Sequence, residues 1–500
     1  MIGTFLSERK KFMTEHFRPQ YHLTPLTEWM NDVQRPIYID GVHHLYYLYN
    51  KDYSLEGNGT EWAHAVSTDL VHWERKPVAI EKYKDSAGDP WAGSCVIDVN
   101  NTAGFGYNAI IAIVTMPNPT YQCNHLWYST DGGNTFTHYG TEPIMHNPTG
   151  YTDFRDPKII WHEPTKKWIM LMAERDKVGF YTSYNLKEWT YVSTFVRDDI
   201  GIIECPDLFE LNIDGNPANK KWVLLLGGNG FNYGRTTCAC YFLGNFDGTK
   251  FYAETEIEWL ENGADSYAGV SWDAPYTNGN YRYFVSWMGN WNYASEVPWE
   301  TFIGNASIVR ELHLRSTSEG IKLVQIPVGN LKESLREIAF FGEQVIYTGQ
   351  ENLLKNIHAT SFAVETMIIY DSTRSKFGFS LRDGYVNGEH TVLMYVKSNN
   401  ELVIDRSKSG IVHMNEYLAN MNEFARQYKA TVKPRDGRIK LEIFVDRSTV
   451  EVFVNEGESV FSLSIFPDIS SDGLRLWTDD CVHIEYLKVR AVNEAEAMIY

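Results

Sequence analysis

The chain has 500 residues with 64 acidic and 45 basic side chains, a formal net charge of −19. That charge opposes a nucleic-acid or anionic-membrane partner and leaves a neutral ligand as the expectation. The length exceeds one ordinary hydrophobic core, so two domains are expected, and no apolar run approaches the roughly 18 residues that a membrane helix needs.

The first stretch, Met1 to His22, has charges directly after a short apolar start and no cleavable leader pattern. The chain as it stands therefore reads as cytoplasmic, and as secreted if a leader precedes it. "WMND" (Trp29 to Asp32) then places a carboxylate before a β-rich aromatic run, "HHLYYLYN". Next comes a hairpin unit, Ser67-Thr-Asp-Leu-Val-His-Trp73, which recurs at Ser129 to Phe136 and Ser183 to Trp189, and more loosely at Gly244 to Phe251. Each copy follows a strand, turns through an Asp or Asn, and closes on an aromatic residue that opens the next strand. The spacing of roughly 50–60 residues is somewhat longer than that of common propeller repeats. Four copies with chain to spare on both sides predict a five-bladed β-propeller over residues 1–326.

"KWIMLMAE", "KWVLLLGG" and "YRYFVSWM" supply further strands. Cys238 and Cys240 share a strand face, and with no second pair at metal-site spacing they read as structural thiols. After residue 326 the repeat stops. "PVGNLKESLREIAFFG" from Pro327 is the best helical pattern, and 327–340 reads as a linker. "SFAVETMIIYD", "KFGFSLRDG", "TVLMYVKSNN" and the run from Arg438 to Pro467 then predict a β-sandwich over 341–500. The alternation Val450-Glu-Val-Phe-Val454 predicts a strand with one packed face and one wet face.

Two more carboxylates stand like Asp32 at the start of β-rich runs: Asp156 in "DFRDPKIIW" and Glu204 in "IIECPDLF". Innermost propeller strands surround one funnel, so the three are expected to converge there. Their mutual repulsion and desolvation should raise at least one pKa, which separates an ionised from a protonated carboxyl group. Glycoside hydrolysis needs that pair. It needs only carboxylates and water, so no metal or organic cofactor is expected.

Several motifs, in order, resemble those of glycoside hydrolase family 32, the β-fructofuranosidases: "WMND", "WAGS" (Trp91 to Ser94), "FRDP" (Phe154 to Pro157), "EC" (Glu204-Cys205) and "SWMGNW" (Ser286 to Trp291). The resemblance implies a five-bladed propeller followed by a β-sandwich. It further implies a retaining mechanism with Asp32 as nucleophile, Glu204 as acid/base and Asp156 as transition-state stabiliser. Asn31, Trp62, Trp91, Ser94 and Arg155 become the expected sugar contacts, with a purely structural role as the alternative for the two tryptophans. The implied substrate is a fructan, a fructo-oligosaccharide or sucrose. Two departures stand beside the nucleophile. Val33-Gln34-Arg35-Pro36 replaces the family's usual Pro-Asn-Gly continuation, and Leu48 in "YLYN" replaces its usual Gln. Similar variants in the levan-directed branch of the family point to β-2,6-linked substrates. A fructosyltransferase with the same triad and a carbohydrate-binding protein without catalysis are the rival readings.

Overall fold

The structure, a computed structural model, describes residues 15–84, 88–117, 120–371 and 375–492. Most of the N-terminal stretch behind the expectation of a cytoplasmic chain lies outside the described residues.

Five antiparallel sheets form the blades of a propeller. Their inner strands are Glu28–Ile39, Gly93–Asp98, Arg155–His162, Ile203–Ile213 and Tyr267–Asp273. A single parallel pairing of Ile213 with Leu314 joins blades four and five into one sheet. The recurring hairpin unit is the turn from third to fourth strand. In blade one the Ser67 hydroxyl accepts the Leu70 N–H at 2.8 Å, and Asp69 accepts those of Val71 and His72 at 2.9 and 2.8 Å. In blade three Ser183 and Asn185 repeat the pattern on Leu186, Lys187 and Glu188. Leu70 and Leu186 both take left-handed φ there, 69° and 61°.

The strands read as continuous apolar runs because each face of a blade meets a neighbouring blade. Ile110, Ala112 and Val114 pack on Tyr46, Leu48 and Trp62 of blade one. Their neighbours in the same strand, Ile111 and Ile113, pack on Ile159, Trp168 and Met170 of blade three. Similar cores lie between blades three and four and between four and five, and the junction of blades five and one also takes in residues of the sandwich.

The last propeller strand, Gly320–Pro327, leads to a short helix, Gly329–Ser334. The expected linker is less of a linker than it looked. Arg336–Phe341 is a strand that pairs with the final strand, Cys481–Ala491, so the helical pattern ends where the backbone finds a sheet edge. Two sheets, of seven and five strands, make the sandwich.

The expected wet face of Thr449–Val454 is not wet. Val450, Val452 and Val454 fill the sandwich core. Phe453 packs against propeller residues, and Glu451 is fully buried with Arg310 of blade five and His22. The alternation was real, but its polar side faces the other domain.

Candidate active site

The propeller axis opens at one end into a cavity of about 640 Å³. Asp32, Asp156 and Glu204 line it together, from the inner strands of blades one, three and four. β-Bulges aim these side chains. The strand register shifts between Met30 and Val33, between Arg155 and Lys158, and between Glu204 and Asp207. Asp156 and Cys205 adopt left-handed φ of 59° and 46°. A bulge turns a side chain out of the alternating pattern of its strand. Pro157 and Pro206 sit inside two of these bulges, where a missing N–H leaves no ladder bond unmade.

Hydrogen bonds fix the carboxylates relative to one another. Asp156 accepts the Cys205 N–H at 3.0 Å, and its own N–H donates to the Thr115 hydroxyl at 3.0 Å. Arg155 donates Nε and Nη2 to Glu204 Oε1 at 3.2 and 3.0 Å, and pairs with Asp153. The Tyr267 hydroxyl donates to Glu204 Oε2. Asn31 accepts from Trp29 Nε1 at 2.8 Å and donates to Asp32 Oδ1 at 3.1 Å.

Burial pushes Asp32 up to about 7, helped by the charges of Asp156 and Glu204 and opposed by the Asn31 bond. Asp156 is also raised, by burial first, with Arg155 pulling the other way. Burial works against the Arg155 charge, but Glu204, Asp156 and Asp153 outweigh it and hold the guanidinium protonated. Interacting carboxylates titrate as a set. Burial and mutual repulsion favour keeping a proton within this set. The groups pushed up are Asp32 and Asp156, whereas the resemblance starts the proton on Glu204.

A stability prediction follows from the sign of the Asp32 shift. Its folded-state pKa lies above the ordinary value of 3.8, so ionising it costs folding free energy. Stability present below about pH 4 is lost as pH rises through 7. Asp32→Asn removes that cost. The variant should be more stable than the parent above pH 7, by about 1–3 kcal/mol, with the gap closing towards pH 4. Denaturant titrations of both proteins at pH 4 and pH 8 measure it. A gap that is constant with pH would contradict it.

Not every expected sugar contact reaches the cavity. Asn31, Trp91 and Arg155 line it. Trp62 and Ser94 stand behind its wall. Trp62 is fully buried and donates Nε1 to the Trp91 carbonyl at 2.9 Å. Its ring lies so close to Gly93 that a Cβ there would come within 2.8 Å of Trp62 Cζ2. Ser94 accepts the Ile159 N–H at 3.2 Å and ties blade two to blade three. Both hold the wall rather than form it.

Of the two departures beside Asp32, only Leu48 lines the cavity. Gln34 points beneath it, donating to the Asp32 carbonyl at 3.1 Å and accepting the Gly93 N–H at 2.7 Å. The sequence reading missed Asp89, Gln122, Asp153, Tyr53 and Trp291 on the rim. Asp153 and Trp291 were within reach, since they flank or end the motifs around Arg155 and Trp287. Trp29 stacks on Tyr53 and Trp291 at 5.0 and 6.1 Å, which gives the cavity an aromatic side.

Two family models match the chain: the glycosyl hydrolases family 32 N-terminal domain over residues 22–327 and the family 32 C-terminal domain over 333–491. The chain belongs to glycoside hydrolase family 32. A levanase of Bacillus subtilis is 41% identical over 93% of this family-32 chain and 69% of its own length. A levanbiose-producing levanase of the same organism is 39% identical over 93% of the chain and 88% of its own length. The crystal structure of an exo-inulinase from Aspergillus awamori superposes with a TM-score of 0.87 at 30% identity, covering 95% of this chain and 98% of that one. This family-32 protein is thus a glycoside hydrolase with the five-bladed propeller and β-sandwich of its structural relatives.

Proposed function

We propose that this glycoside hydrolase cleaves β-fructofuranosidic bonds in fructans and fructo-oligosaccharides, with retention at the anomeric carbon. One observation carries the reading: three carboxylates from three separate blades line one cavity, with an arginine bridging two of them. Asp32, at the floor, attacks C2 of the fructosyl unit and forms a covalent ester. Glu204, the carboxyl group held from both sides by Arg155 and Tyr267, gives its proton to the departing oxygen. It then takes a proton from water, which attacks C2 and releases Asp32. Asp156 accepts sugar hydroxyls, and those bonds tighten as oxocarbenium charge develops. The names of the levanase relatives support a fructan as substrate.

Linkage preference is proposed from Leu48. Where the family's usual Gln would offer a donor and an acceptor, Leu48 offers only methyl groups. A sugar whose polar groups point elsewhere loses nothing there, whereas one that needs that amide does. Hydrolysis should therefore be faster on β-2,6-linked oligofructosides than on sucrose, and Leu48→Gln should move the ratio towards sucrose by about tenfold. Chromatographic product profiles on levan, inulin and sucrose test the assignment. A clear preference for sucrose, or no turnover of any of the three, would contradict it.

A further inference from the structure

The catalytic cavity is one end of the propeller's axial channel. The other end is a second cavity of about 490 Å³, lined by residues of all five inner strands. Between the two lies a plug of polar side chains that hydrolysis as described does not use. Lys158 and Asp207 pair there at 2.9 Å, both deeply buried. Arg35 stands beside them, only 2% exposed.

Arg35 has an unusual set of partners. Its Nη1 donates to the Gly93 carbonyl of blade two at 3.3 Å, and its Nη2 donates to the Pro206 carbonyl of blade four. Among the described residues no carboxylate lies within ion-pair distance of it, and its buried Nε has no hydrogen-bond partner. A buried guanidinium without an adjacent anion is costly unless the surrounding field compensates it. That field comes from Asp207 on one side and the carboxylates of the catalytic cavity on the other. Pro206 belongs to the bulge that presents Glu204, and Cys205 between them donates its N–H to Asp156. Arg35 is also one of the four residues that depart from the family's usual continuation after Asn-Asp. Its neighbour Gln34 clamps the Asp32 carbonyl.

We propose that Arg35 is a positioning residue for the catalytic carboxylates: from beneath the cavity it locks the Pro206 bulge that presents Glu204, and it adds a second positive charge to that of Arg155 on the side of Asp156. The inference rests on the roles given above to Asp32, Asp156 and Glu204. Asp156 is faced by Arg155 on its own strand, by Asp32 from blade one, by Glu204 and Cys205 from blade four, and by Arg35 from below. Arg155 and Arg35 are the cations in that set, and the charge of each favours an ionised Asp156.

The test uses the 500-residue chain and three variants, Arg35→Lys, Arg35→Met and Asp156→Asn, assayed on levan-type oligofructosides across pH. Arg35→Met loses both the charge and the two carbonyl bonds. Its kcat should fall by roughly 10²-fold with KM changed less than threefold, the mark of an interaction made in the transition state. The acidic limb of its kcat/KM profile should shift upward by about one pH unit. Arg35→Lys keeps the charge without the fork. Its acidic limb should stay near the parent's while kcat recovers only in part. If Arg35→Met does not fold, Arg35→Lys still decides, because a parent-like kcat in that variant would remove the bulge-locking role. Parental kcat and pH profile in both variants, with only a lower melting temperature, would make Arg35 merely structural and overturn the proposal. If Asp156→Asn keeps parental activity, the triad reading itself has failed; if it is dead while the Arg35 variants are parental, only this inference has.

Discussion

Glu204→Gln should retain much of its first-step rate on a fructoside with an acidic leaving group, while losing most of it on a natural fructan. General acid help is worth about 10²–10⁴-fold, or roughly 3–5 kcal/mol. A leaving group that departs as a stable anion does not need that help. Asp32, the proposed nucleophile, is untouched in this variant and keeps its Asn31 hydrogen bond. Asp32→Asn should stay inactive on both substrates, because no ester can form whatever the leaving group. Single-turnover release of the leaving group from both variants measures the contrast. If Asp32→Asn is the one that recovers, the two roles are reversed.

Arg310→Met should cost about 3–5 kcal/mol of stability, the range for removing one partner of a buried ion pair. Arg310 is fully buried between the propeller and the sandwich. It binds Glu261 at 2.6 Å and Gln325 at 2.7 Å, and pairs with Glu451. Losing it leaves Glu261 and Glu451 buried with less compensation. Adding Glu261→Gln and Glu451→Gln should recover part of the loss, because the stranded charges are then gone. His22 extends the network, bonded to Asp446 at 2.9 Å and to Glu451 at 2.8 Å. Burial pulls its pKa down, but the two carboxylates outweigh that and raise it from 6.5 to about 9. Its contribution is therefore fully present below about pH 6.5 and lost as pH rises through 9. Denaturant midpoints of parent and variant at pH 6 and pH 9.5 check both statements. A loss under 1 kcal/mol for Arg310→Met would show that the junction does not depend on its buried charges.

The propeller was legible because its turns are local chemistry. Ser67 with Asp69, and Ser183 with Asn185, make the same backbone bonds wherever they occur. The fifth blade has no such unit. Its turn from third to fourth strand is the tight one from Thr317 to Gly320, and the segment 288–309, between the second and third strands, carries Trp291 to the cavity. The convergence of Asp32, Asp156 and Glu204 on one cavity was legible through motifs, and at Asp156 and Glu204 a proline inside the bulge leaves a trace in sequence. What a side chain faces left a weaker one. Trp62 and Trp91 were both expected sugar contacts, and only their placement, Trp62 buried in a strand and Trp91 in the loop before Gly93, separates a wall support from a wall. Glu451 shows the same limit: alternation marks a polar side but not whether water or a second domain covers it. The altered stretch after Asp32 was read as a mark of substrate preference, yet Gln34 and Arg35 point below the site.

The central claim is that Asp32, held with Asp156 and Glu204 in one cavity, takes the fructosyl group. Mixing Glu204→Gln with an activated fructoside and weighing the intact protein and its peptides tests it most directly. Deglycosylation is slowed in that variant, because no base activates water. One fructosyl group should accumulate on the peptide that contains Asp32 and be absent from the variant that also carries Asp32→Asn. Label on any other peptide, or leaving-group release with no protein-bound sugar at any time, would contradict the account.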